Sequence, residues 1–117
     1  MNLAAFRKAA LALPEATEEP HFDMASFRVR GKIFATVPPD GRHAHVMVDE
    51  EEARAAAASD PRAYEELWWG KRLSGARVKL SAARTGEVTE LLEEAWRRKA
   101  PKRLVTEFDA RRSRSAP

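Results

Sequence analysis

The chain has 117 residues, 44% of them hydrophobic and 33% charged. That is the balance of one folded domain, and neither a bilayer-spanning segment nor a cleavable leader is legible in it. The absence of cysteine excludes disulfides, thiolate metal sites and cysteine nucleophiles, and a cytoplasmic protein of bacterial style is expected. The net charge of +3 is a C-terminal property: residues 97–117 carry +6, leaving −3 for the remainder, so the basic end is the part that would seek an anion.

Leu3, Phe6, Ala10 and Leu13 recur at helical spacing ahead of Pro14, which predicts an amphipathic helix over 3–13. "EATEEP" then leads to an extended strand near His21 and Phe22. In "SFRVRGKIFATV" apolar and basic residues alternate up to a glycine. Gly31-Lys32 suits a type II′ turn, which would pair Val29 with Phe34 and Phe27 with Thr36. Phe27, Val29 and Phe34 would then face the core, with Arg28 and Arg30 on the other side. A three-residue loop would instead bury Ile33 and Ala35, and both registers stay open.

"PPDG" is a turn. Beyond it Ala44, Val46 and Val48 alternate with His43, His45 and Met47, closing an antiparallel meander. Asp49, with Glu52 three residues on, caps a helix over "EEEARAAAAS". "DPRAYEELWWGKRLSG" has no clear period. "ARVKLS" alternates, with Ala76, Val78 and Leu80 inward and Arg77 and Lys79 outward. Val88, Leu91, Leu92, Ala95 and Trp96 mark the strongest helix, 86–99. Pro101 opens a last short helix, "PKRLVTEF", and residues 109–117 read as a basic flexible tail after one domain over 1–108.

This element order, with "ALALPEATEEPHF", "SFRVRGKIFATV" and "LLEEAWRRKAPKRL", resembles the MmcQ/YjbR family from about Leu3 to Leu104. The resemblance implies an α+β, CyaY-like fold, an antiparallel sheet packed on the N- and C-terminal helices, and a double-wing, DNA-binding role without assigned catalytic residues. Similar members carry a glycine-tryptophan step before the last strand; here Trp68 and Trp69 come earlier, in "WWGKRLSGARVKL". Iron chemistry does not follow from a frataxin-like fold, because the first helix carries only Arg7 and Lys8 as charges.

Two functional readings result. In the first, Arg28, Arg30, Lys32, Lys71, Arg72, Arg77 and Lys79 form a basic sheet face that meets the phosphates of double-stranded DNA with weak sequence specificity. Arg97, Arg98, Lys102 and Arg103 would assist. In the second, Tyr64, Trp68 and Trp69 form an aromatic cluster that binds a protein or a small ligand. His43 and His45 share a strand face, but no third ligand is apparent and no metal or other cofactor is expected. Without a GxSxG context or a Gly-rich phosphate loop, the chain does not read as an enzyme.

Overall fold

The computed structural model describes residues 1–115. Six strands form one sheet in the order β1-β2-β3-β4-β6-β5, every neighbouring pair antiparallel. They are β1 (Ala16–His21), β2 (Met24–Val29), β3 (Lys32–Val37), β4 (His43–Val46), β5 (Tyr64–Trp69) and β6 (Arg72–Lys79), with helices α1 (Leu3–Leu11), α2 (Glu50–Ser59), α3 (Thr85–Lys99) and α4 (Lys102–Ser115). The fold is α+β, as expected. The acidic stretch after Pro14 is itself a strand, β1, and takes one edge of the sheet. Its glutamates and Pro20 suit an edge, where charge and a missing N–H discourage further pairing.

Helices cover one sheet face. The row Phe27, Ala35, Val46, Ala76 crosses four strands on that side, every member fully buried. Phe6 of α1 meets Phe27 edge-to-face at 5.7 Å. Trp96 of α3 is fully buried, and its indole N–H donates to the Pro14 carbonyl at 3.0 Å. α2 packs on β5 and β6, capped as expected by the Asp49 carboxylate, which accepts from the Glu52 amide at 2.8 Å. α4 runs to Ser115, so helix occupies much of the stretch expected as a tail from residue 109. Phe108 packs on Trp96, and Arg97 and Arg112 reach across to Asp109 and Glu93. Residues 116 and 117 lie outside the described residues.

The β2–β3 hairpin departs from the expected register. Val29 pairs with Lys32, so the turn residues are Arg30 and Gly31, with φ of 51° and 80°. Two positive φ values define a type I′ turn in place of the expected type II′, and both types suit the twist of the flanking strands. A bulge beside Phe27 and Arg28 then leaves Phe34 as the extra residue, and Phe34 and Ala35 are both buried. The glycine-first turn expected at Gly31-Lys32 occurs in the other long hairpin, at Gly70-Lys71, where Gly70 has φ 62°. Phe22 lies in the tight turn between β1 and β2, not in a strand, with φ 57°.

The strand expected over residues 43–48 stops at Val46. There the Val48 amide turns back to the Val46 carbonyl at 3.0 Å, and the chain leaves for α2. Opposite that point β6 carries Gly75, and a Cβ there would fall on the Val46 carbonyl oxygen.

The sheet face away from the helices carries a polar row: Ser26, Thr36, His45 and Arg77. Ser26 and Thr36 are nonetheless buried. His45 faces Thr36 through Nδ1 at 3.4 Å, and its Nε2 has no partner among the described residues. Burial, then the Arg77 and His43 charges, hold His45 below its ordinary pKa of 6.5, with a small opposing pull from Asp40.

Two predictions follow from these contacts. Replacing Gly75 with alanine should cost about 2–4 kcal/mol in urea unfolding, because backbone occupies the space a methyl would need. Gly86→Ala, with open space around it, should be neutral or stabilise by up to about 1 kcal/mol. For His45, a lowered folded pKa means that the unfolded chain takes up the proton first. Stability should therefore be full above pH 6.5 and decline as pH falls below it. The same titration on His45→Gln should lose that part of the slope.

Candidate functional site

Because β4 ends early, the β2–β3 and β5–β6 hairpins run on beyond it and stand on either side of a cleft of about 720 Å³. One side presents Arg28, Lys32 and Ile33; the other presents Trp69, Arg72, Leu73 and Ser74. The segment leaving β4 supplies Met47, Asp49 and Glu50, and the end of α3 supplies Arg98 and Lys99. The Arg98 guanidinium donates to the Met47 carbonyl, which ties the helix end to the departing chain. His21 at the end of β1 and Met24 at the start of β2 extend the lining.

Five cations thus share the cleft with two carboxylates. Both carboxylates are engaged: Asp49 caps α2 and Glu50 pairs with Arg54 at 3.4 Å. Arg28 is held by the Ser26 hydroxyl at 3.0 Å and the Pro20 carbonyl at 3.3 Å. Lys32, Arg72 and Lys99 have no acidic partner among the described residues, nor does Lys71 in the β5–β6 turn. Surface cations without a carboxylate partner keep their full charge for an incoming anion.

The continuous basic ridge expected from the sequence is not what the fold assembles. Arg30 sits in the turn and makes a two-pronged pair with Glu15, at 2.5 and 3.1 Å. The hydrogen bond lowers the Glu15 pKa and raises that of Arg30. Arg77 points outward as expected, but at 3.4 Å from Glu65 and 4.0 Å from Asp40. It lies three strands from the Arg28 strand, roughly 14 Å at ordinary spacing. Lys79 lines a separate small pocket with Arg77 and His43. Of the assisting residues, Arg97 is taken by Asp109 and Arg103 by Glu107. Lys32, Lys71 and Arg72, by contrast, are brought to the ends of the two hairpins.

The aromatic cluster also separates. Tyr64 is 3% exposed at the far end of β5, where its hydroxyl donates to Glu87 at 3.3 Å. Burial, then the Glu87 charge, raises its pKa. Trp68 and Trp69 alternate across the strand. Trp68, 47% exposed, donates its indole N–H to Glu66 at 3.0 Å and does not line the cleft. Trp69 is 57% exposed, opposes Arg72 in the hairpin and does line it.

Sequence reasoning missed Lys99, Ile33 and Met24 as parts of the cleft. No local signal points to them, because they meet only through the sheet and the end of α3. His43 is held by Asp40 at 2.8 Å, whose carboxyl is lowered to about 2 by the Arg42 amide and by His43. Among the described residues no three His, Asp or Glu side chains converge as a metal site would need, and no helix is long and apolar enough to cross a membrane.

The YjbR family model matches residues 11–98, a span that includes both hairpins and all but the last residue of the cleft. The fold is similar to the crystal structure of a Deinococcus radiodurans protein with a DUF419 domain. The TM-score is 0.70 at 17% identity, over 81% of this chain and 75% of that one. No curated protein matches. With the family match spanning three-quarters of the sequence, and every element between α1 and the end of α3 in place, the chain belongs to the YjbR family.

Proposed function

We propose that this protein is a DNA-binding protein without catalytic activity, which holds phosphates between its two long hairpins as a pair of wings. One observation carries the reading: Lys32 on one hairpin and Arg72 on the other flank a common cleft and, with Lys71 in the neighbouring turn, have no acidic partner among the described residues, while Arg30 and Arg77 on the same sheet are tied to carboxylates. Lys99 adds a further unpaired charge at the end of α3. Arg28 lies near the same opening, oriented by Ser26 and the Pro20 carbonyl and 4.0 Å from the Glu19 carboxylate. Contacts of this kind position a nucleic acid without reading its bases, so sequence specificity should be weak. The non-enzymatic part rests on the sequence, which carries no nucleophile motif and no phosphate-binding loop. A cytoplasmic setting accords with a DNA partner.

A second reading, a small-ligand module, is favoured by the exposure of Trp69 over a cleft of about 720 Å³, a volume in the ordinary range for ligand sites. Tyr64 and Trp68 have no part in it.

Anisotropy of a labelled duplex, titrated at salt from about 50 to 200 mM, tests the first reading. Binding should weaken log-linearly with salt. Lys32→Glu/Arg72→Glu should reduce affinity at least tenfold and flatten the log–log slope by about 2, one unit per lost phosphate contact. Arg30→Ala should stay within about twofold, since Glu15 already neutralises it. Binding that survives the double substitution and disappears with Arg111→Ala/Arg114→Ala would mean generic attraction to the basic helix end.

A further inference from the structure

Trp69 presents more than half of its surface to solvent while lining a cleft rather than capping a core. Its neighbours there are of two kinds. Met24, Ile33, Met47 and Leu73 are apolar; Lys32 and Arg72 are unpaired cations on opposite hairpins. Asp49 and Glu50 line the α2 side, already engaged by the Glu52 amide and Arg54, and the end of α3 adds Arg98 and Lys99. A phosphate is drawn to the cations, Lys32 and Arg72 at the hairpin rim among them, whereas an uncharged flat group suits the place beside the indole and the apolar side chains.

Resting on the DNA-binding reading above, we infer that the cleft takes an unpaired base of single-stranded DNA, stacked on Trp69, with its flanking phosphates on Lys32 and Arg72. A duplex stacks its bases face to face and offers no free π-face to an indole. A single strand does, and stacking of this sort tolerates any base. Positive hairpins with one aromatic platform between them are the arrangement that such a strand needs. The protein therefore prefers strands, frayed ends or gaps over intact duplex.

Trp68 supplies the internal control, being adjacent in sequence, similarly exposed and outside the cleft. Affinities are measured by anisotropy for a short oligothymidylate, an abasic strand of equal length and charge, and a blunt duplex. The wild-type protein should bind the oligothymidylate about tenfold more tightly than either of the others. Trp69→Leu should weaken oligothymidylate binding about tenfold and leave abasic and duplex binding within twofold. Trp69→Phe should restore much of the loss, and Trp68→Leu should change nothing. In Trp68→Phe, oligothymidylate should quench the exposed Trp69 emission while buried Trp96 persists.

If Trp69→Leu behaves like Trp68→Leu on every strand, or if abasic and base-bearing strands bind alike, the stacking inference is overturned. Duplex binding that is salt-sensitive and lost in Lys32→Glu/Arg72→Glu would then leave the DNA-binding reading standing. If no nucleic acid binds at low salt, both fall. Quenching of Trp69 by a mononucleotide, with no binding of strands, would also overturn the inference and favour the small-ligand reading.

Discussion

The close approach of β6 to the end of β4 is the constraint on which the site depends. At Gly75 the backbone of β6 runs against the Val46 carbonyl with no room for a side chain. One residue later the β4 chain stops following its neighbours, bends through the Val48 amide and departs for α2. A longer β4 would have continued the sheet between the two hairpins and filled the space with paired backbone. Because it stops, the hairpins extend past it unpaired on their inner sides, and the end of α3, fastened by Arg98 to the Met47 carbonyl, closes the gap from behind.

Charge is distributed around that gap by the same geometry. Residues that the sheet places opposite acidic neighbours lose their availability: Arg30 to Glu15, which lies beside the β1–β2 ladder, and Arg77 to Glu65, its direct partner on β5. Lys32 and Arg72 face Val29 and Trp69 across their hairpins, not a carboxylate, and with Lys71 in the turn they have no acidic partner among the described residues. A modest net charge of +3 thereby yields a locally positive opening. Fixed local charge, more than the chain total, governs how an anion is captured.

The exposed aromatic residues sort by the same criterion. Trp68 satisfies its indole N–H with Glu66 on its own strand. Phe22 is 91% exposed in a tight turn, where its ring meets His21 edge-to-face at 4.8 Å. Trp69 alone of the three faces a shaped cavity with both apolar and cationic walls.

Much of the architecture was legible in the sequence because it follows from short-range patterns. Phe6 and Ala10, Asp49 with Glu52, Pro38 to Gly41, and Val88 to Trp96 each carry their signal within one or two turns of chain, and each is where the spacing places it. The hairpin register was not legible, since Arg30-Gly31 and Gly31-Lys32 are both chemically acceptable turns. In the register adopted, a bulge lets Phe34 and Ala35 both be buried, and Arg30 in the turn meets Glu15. The candidate site was legible only in part. The sequence determined that the chain would be one α+β domain with basic hairpins and tryptophans near them. Which cations remain unpaired, and which tryptophan meets them, was decided by tertiary structure alone, because a carboxylate partner or a cleft wall comes from strands and helix ends distant in the chain.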